Sequence, residues 1–440
     1  MNFSLINISW FFIILLAFLS GPLGCAYRTK SIGPTAIEIS QGETPENALI
    51  DVGIAPFDSD KLSAKEAQEE GTNADIRKAE GLFIPYHLKN TLQKSSQWGT
   101  VRVVPEEAVV DLQVKGHIEK SEGEWLILKV DVVDAAGRTW FKKRYKAKAD
   151  ETAYSNPVVG EKDAFQDLYN TIANDMAKFK QELTMEEINT IRTVAKLKFA
   201  QKMAPDVFGP YLEEDKKGRF KLNRLPADDD PMMARVLKIR QRDAMYLDTL
   251  NELYDGFYND MWTSYQDWRY NNLTERTTLR KIKRDAWLRG ILGVLLIAGA
   301  IGMEAGDVDN VSILQGIMVA AGGMLIINGI NVSQQKEIHA VAIKELSDSF
   351  GDTMRPVVLN LEGEEVKLSG PVKEQYAKWQ AMLRNIYLQE IGNNSTVSPE
   401  IESPSEPDLN LESESSLEIE PFDEGVIDKE SSETMDREIQ

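Results

Sequence analysis

Between Gly290 and Val332 the chain carries two apolar, glycine-studded segments joined by the acidic turn Glu304-Ala305-Gly306-Asp307-Val308-Asp309-Asn310. Segments this apolar must be covered, by protein or by lipid, and the rest of the chain has to be organised around that need. As a helix, Ile291 to Met303 spans only about 20 Å, short of the ~30 Å hydrocarbon core. Val311 to Ile330 is long enough to cross, although Ser312, Gln315 and Asn328 interrupt its apolar character. Trp287 and Arg289 extend the first segment by interfacial anchoring and snorkelling. Small residues recur every fourth position, Ala298, Gly302 and Gly306 in one arm and Ser312, Gly316 and Ala320 in the other. Glycines weaken a helix in water, whereas in lipid they let two backbones approach closely. The expectation is a transmembrane helical hairpin over 290–332. The competing readings are a buried hairpin inside a water-soluble assembly and a glycine-rich tip that inserts without crossing.

This stretch resembles the glycine-zipper two-helix hairpins of some outer-membrane lipoproteins. The N-terminus points the same way. Ile8 to Leu19 forms an apolar core of signal-peptide length, too short for a comfortable membrane span, and Gly21-Pro22-Leu23-Gly24-Cys25 follows it. It resembles the leader of bacterial lipoproteins, whose cysteine is lipidated and becomes the mature N-terminus. The resemblance implies lipidation at Cys25, and Ala26 after it implies sorting to an outer membrane. Leu23 and Pro22 depart from the usual order, and no Lys or Arg precedes the apolar run.

Cys25 is the single cysteine, which excludes an intramolecular disulfide and a cysteine-based zinc site. The formal charge is −20, but the tail from Gly392 onward holds 15 Asp/Glu against Lys429 and Arg437, leaving only −7 on the body. The tail is rich in Ser, Pro and acids, the composition of a disordered segment. The body's mild acidity argues against a nucleic-acid partner.

Residues 26–47 are polar and read as a linker. An α/β domain follows over 48–183. Leu49 to Ala55 alternates apolar residues and stops at Pro56. Ala74 to Ser95 is helical, with Pro85 expected to bend or delay it. Val101 to Val104, Ala108 to Lys120, Trp125 to Val133 and Arg138 to Lys148 are strands, and Asp163 to Leu183 is a helix. The order β-α-β-β-β-α implies a small mixed or antiparallel sheet with helices on one face, an α+β fold. With Ile54-Ala55-Pro56-Phe57 closing the first strand, it resembles the α/β domains of several bacterial envelope lipoproteins and of the amino-terminal part of the Tol-system propeller protein.

A helical stalk is expected over 184–289. It contains a Thr184-Met185-Glu186-Glu187 capping box, a helix start at Asp230-Pro231 and a break at Asn271-Asn272. Leu247, Leu250, Tyr254, Phe257, Met261, Tyr265 and Trp268 step by three or four residues, as a packed core or an oligomer seam requires. Residues 333–391 read as a small α/β cap, a helix, a β-hairpin and the helix Pro371 to Glu390.

No phosphate-binding loop, zinc-protease motif or nucleophile elbow is present, and the three histidines, His87, His117 and His339, are scattered. The sequence therefore points to a non-enzymatic protein without cofactor or metal. Its expected partners are membrane lipid, envelope proteins and further copies of itself. Two functions fit, an accessory or scaffold lipoprotein and an oligomeric membrane channel. Localisation divides the evidence. Export through Cys25 favours an outer membrane facing the periplasm, with the inner membrane as the alternative. The flank Arg276, Arg280, Lys281, Lys283, Arg284 and Arg289 instead favours a cytoplasm-facing inner-membrane protein by the positive-inside rule.

Overall fold

A computed structural model describes residues 33–42, 44–63, 65–67, 72–300, 338–345, 357–361 and 364–392. The backbone alone is described at 282–283, 285–300, 359–361 and 364–365. The fold is mixed α+β, with a mixed six-stranded sheet and one very long helix. β1 (Val52–Ile54), β2 (Asp58–Ser59), β3 (Val101–Val103), β4 (Leu112–Ser121), β5 (Trp125–Asp134) and β6 (Thr139–Lys148) form the sheet, in the order β3-β1-β4-β5-β6 with β2 also on β4. β1 lies parallel between β3 and β4, and β4, β5 and β6 make an antiparallel meander. All three residues of β1 are buried, as a central parallel strand demands, whereas the meander alternates a core face with a polar face.

β1 and β2 are two pieces of one parallel run along β4. From Ile54 to Asp58 the chain advances four residues while its partner advances three, from Val114 to His117. The extra residue falls between Ile54 and Asp58, a stretch that contains Pro56, which has no N–H to give to a ladder.

Helix α1 (Ala74–Lys94) is capped by Asn73, whose side chain accepts from the Ile76 N–H. It runs unbroken through Pro85, against the expected bend or delay, and the reason is local. Pro85 cannot donate to the carbonyl of Gly81, and that carbonyl instead accepts from the Phe57 N–H at 2.8 Å. A Cβ on Gly81 would sit 2.7 Å from the Phe57 carbonyl oxygen. Phe57 in turn covers Gly116, where a Cβ would meet its ring at 2.3 Å. Two glycines and a proline thus form one seat for the β1–β2 corner.

Helices α2 (Gln166–Gln181) and α3 (Met185–Met203) follow, the latter opened by the complete Thr184–Glu187 capping box. The connection from Ala204 to Asp230 holds a short helix α4 (Pro205–Phe208) and a hairpin of β7 (Leu212–Glu214) and β8 (Phe220–Leu222), which three-residue polar strands conceal in the sequence. Helix α5 (Pro231–Ala300) starts where Asp230 accepts from the N–H groups of Met232 and Met233 at 2.8 and 3.2 Å. Its 70 residues run through Asn271-Asn272 without the expected break and extend about 105 Å.

The first half of α5 is core rather than a free stalk. Its aromatic stripe is buried within the same chain, where Tyr258 and Tyr265 lie 4.7 and 4.6 Å from Phe83 of α1. The hairpin of β9 (Val357–Leu361) and β10 (Glu364–Leu368) and helix α6 (Val372–Glu390) complete the fold. Trp379 of α6 stacks on Tyr246 of α5 at 5.5 Å. Apolar packing is continuous from Ile50 to Tyr387.

No helix among the described residues is long and apolar enough to cross a membrane. The residues of the expected first arm up to Ala300 continue α5. The second arm, the turn between the arms, the leader and the acidic tail lie outside the described residues.

Gly81→Ala discriminates helix propensity from packing. Propensity alone predicts a gain of about 1 kcal/mol. The approach of the Phe57 carbonyl predicts instead a net loss of about 1–3 kcal/mol, read from urea unfolding midpoints.

Candidate functional site at the helix junction and the open sheet face

Two places combine charge with defined geometry. The first is the junction between α5 and the sheet domain. Arg269 and Asp163 are both fully buried and form an ion pair, and Asp163 also accepts from Gln266 Nε2 at 2.8 Å and the Phe165 N–H at 2.9 Å. The Arg269 guanidinium lies 4.3 Å from the Tyr265 ring centroid and 5.4 Å from that of Phe165. Burial pushes the Asp163 carboxyl up, but the Arg269 charge overrides it and holds the group at about 2.

One turn earlier, Glu80 of α1 accepts from the hydroxyls of Tyr265 and Ser121, both at 2.6 Å, and pairs with Arg77. His87 is also buried, and burial pushes its pKa down, so it is held neutral. Gln166 Oε1 can only accept, so His87 Nε2 carries the proton at 2.8 Å and Nδ1 accepts from the Tyr258 hydroxyl at 2.7 Å.

The β4–β5 turn closes the junction. A Cβ on Gly123 would fall 1.8 Å from the Arg269 carbonyl oxygen, so glycine lets the turn lie directly on α5. On either side of it Glu122 pairs with Arg276 at 2.7 Å and Glu124 with Arg280 at 2.8 Å. Arg276 and Arg280 are thus structural side chains as well as members of the basic flank before the apolar segment.

The second place is the polar face of the meander, which carries a cleft of about 270 Å³ lined by Pro56, Lys115, His117, Lys129 and Asp131 among others. It opens beside the carboxyl end of β1, where the chain leaves toward β3 on one side and β4 lies on the other, a topological switch point of the parallel part. His117 bonds Asp58 through Nδ1 at 2.7 Å and Asp60 through Nε2 at 3.3 Å. Lys115 pairs with Glu106, Lys142 with Asp131, and Lys129 and Arg144 with Glu119. Charges of both signs are matched across this face. Partial desolvation lowers the His117 pKa, but the hydrogen bonds to Asp58 and Asp60 outweigh it and raise the group above its ordinary value.

Among the described residues no cluster of His, Cys, Asp or Glu has the arrangement to hold a metal ion. Of the residues singled out from sequence, Trp287, Arg289 and Ala298 lie on the backbone of α5. Cys25, Gly302, Gly306, Ser312, Gly316 and Ala320 lie outside the described residues. Sequence reasoning missed Arg269, Asp163 and Glu80; Ser121-Glu122-Gly123-Glu124 reads from its glycine as a hairpin turn, which it is, but its contact with α5 is not legible there. The one available signal was Arg269 itself, a charge placed directly after Trp268 of the aromatic stripe.

Removing either partner of the buried pair leaves an uncompensated charge, so Arg269→Met is expected to cost about 3–5 kcal/mol in denaturant unfolding. The His117 bonds give a pH signature of defined sign. A raised folded pKa means stabilisation that is complete below the unfolded value and lost as pH rises through the folded one. The β2–β4 attachment therefore weakens on going above pH 6.5, and Asp58→Asn with Asp60→Asn lowers the His117 pKa in an NMR titration.

Comparison with protein-family models, curated proteins and solved structures finds no match to this chain.

Proposed function

We propose that this chain is a non-enzymatic, membrane-anchored envelope lipoprotein that acts as an accessory or scaffold in envelope assembly or transport. The observation that carries the reading is the rigid union of the sheet domain with α5, the helix that leads into the apolar segment at Ile291. A buried ion pair, a buried carboxylate and a glycine seat all act to fix the orientation of the domain on that helix. Such rigidity serves a protein that must present a surface at a set attitude to a membrane. The surface it presents is the open polar face of the meander, whose matched charges suit a protein partner.

The leader ending in Cys25 supports lipidation and export, and the small-residue spacing from Ala298 to Ala320 supports a hairpin packed in lipid. Outer-membrane placement facing the periplasm accords with Ala26. The pairing of Arg276 and Arg280 with Glu122 and Glu124 weakens the case for a cytoplasm-facing protein, because these two cations have a structural reason to be where they are. The channel reading calls for polar residues on one consistent face of each apolar segment, and Gln315 and Asn328 do not share one.

Metabolic labelling with a fatty acid, comparing the native chain with Cys25→Ala, tests the reading. Label is expected on the native chain and not on the variant, with both in the membrane fraction because the hairpin is an independent anchor. An unlabelled native chain would exclude the lipoprotein assignment.

A further inference from the structure

We infer that the outer edge of β6 takes an added strand, and that this strand is the acidic segment 411–420 of a second copy of this chain. The inference does not depend on the membrane reading.

β6 ends the sheet order and pairs with β5 alone. Register fixes which of its backbone groups face outward. The Ala149 N–H donates to the Glu124 carbonyl at 2.9 Å, so the alternation of an antiparallel ladder turns the backbone of Ala147, Tyr145 and Lys143 toward β5. Lys142, Arg144, Lys146 and Lys148 turn theirs away. Their side chains stand on the open face of the meander, because Lys143 and Tyr145 on the opposite face both reach Asp175 of α2. Across 142–148 every outward-facing position carries a cation, and β6 contains no acid.

Part of this charge is neutralised from inside the sheet. Lys142 meets Asp131, and Arg144 meets Glu119, which Lys129 shares. Lys148 shares Glu124 with Arg280, and Lys146 lies 4.2 Å from the centroid of the Trp125 ring. In this set the cations outnumber the carboxylates. Asp150 and Glu151 lie past the last outward cation, and Asp150 is committed to the N–H groups of Thr152 and Ala153. A lysine-bearing edge by itself keeps other strands off. The pointer to an occupant is a segment of complementary period.

That segment is 411–420, which alternates strictly. Glu412, Glu414, Ser416, Glu418 and Glu420 fall on one side of an extended chain, and Leu411, Ser413, Ser415, Leu417 and Ile419 on the other. Pro421 ends the run. Laid antiparallel to β6 with Glu412 opposite Lys148, it sets Glu414 against Lys146 and Glu418 against Lys142. Ser416, the break in the acidic row, then faces Arg144, whose guanidinium Glu119 already holds. Asn410, and not an acid, faces Asp150. Opposite charges directly across a strand pair favour the pairing, and like charges oppose it.

A second copy supplies the strand because the connection is too short in this register. α6 ends beside Arg242, which Glu390 meets at 3.3 Å, whereas the Lys148 end of β6 reaches Arg280 through Glu124. These arginines are about 57 Å apart along α5 at 1.5 Å per residue. Residues 392–411 would have to span that distance at about 3 Å per residue, near full extension, against a relaxed span of about 25 Å. A neighbouring copy meets no such limit.

The test follows amide hydrogen exchange in the full-length chain at low salt and rising protein concentration, in detergent with micelles in excess over chains. The outward N–H groups of Lys142, Arg144, Lys146 and Lys148 are expected to slow about tenfold on association, while the inward N–H groups of Lys143 and Tyr145 stay protected throughout and report an intact β6. Glu412→Gln, Glu414→Gln and Glu418→Gln together, or about 1 M salt, should remove the slowing. A chain with Lys142→Glu and Lys146→Glu and another with Glu414→Lys and Glu418→Lys should each stay unprotected alone, and the edge of the first should become protected when the two are mixed. Slowing that does not depend on concentration overturns the second-copy assignment. Slowing that survives the glutamine substitutions, or its absence at every concentration with β6 intact, overturns the inference as a whole. None of these results bears on the lipoprotein reading, which fatty-acid labelling decides.

Discussion

The fold depends on a charge that has no contact with water. Arg269 sits on the helix that organises the molecule, and Asp163, its partner, lies between the sheet and α2. A buried ion pair is a poor source of net stability, because desolvating both groups cancels most of their attraction. Its effect is one of selection. Shifting α5 by one turn against the domain would strand a buried guanidinium and a buried carboxylate together, whereas an apolar contact would slide at small cost. Glu80 with Tyr265 and Ser121 repeats the constraint about one turn earlier, and Gly123 admits the turn at only one height. Apolar packing along the stripe supplies the attraction, and the polar groups set the register.

The same reasoning explains why α5 tolerates what its sequence forbids. Asn271-Asn272 would end an isolated helix, since both side chains compete for backbone groups. Here Gly123 lies directly on the backbone between Arg269 and Leu273, and Asn272 is 1% exposed. Burial of Asn272 and Leu273 keeps solvent from that side of the turn, so the helix is the conformation in which these backbone groups remain bonded. Pro85 is the mirror case. It creates a free carbonyl, and the fold provides Phe57 to use it.

What was legible in the sequence and what was not divides along this line. The strands β1, β3, β4, β5 and β6, the capping box at Thr184 and the start of α5 at Asp230-Pro231 follow from near neighbours, where period and cap chemistry act. The continuity through Pro85 and Asn271 depends on residues 28 and 148 positions away, Phe57 and Gly123. The packed-core reading of the α5 stripe holds, but its cover was not legible for the same reason. A stripe from Leu247 to Trp268 shows that one face is covered without showing by what, and the cover is α1, far upstream. The junction was invisible because Asp163, Glu80 and Glu122 look, among 70 acidic residues, like any others. Only burial distinguishes them.

This bears on the conflict over orientation. Counting six cations ahead of the apolar segment treats each as free to report on the membrane potential and the insertion machinery. Arg276 and Arg280 have carboxylate partners on the sheet, so folding alone accounts for their presence. Lys281, Lys283, Arg284 and Arg289 are the residues nearest the apolar segment, where snorkelling at either face of a bilayer calls for the same side chains. A positive flank is evidence of cytoplasmic location only in proportion to the charges that have no other reason to be there. Here two of the six cations, Arg276 and Arg280, have such a reason in the fold, and their share of the flank carries no information on orientation.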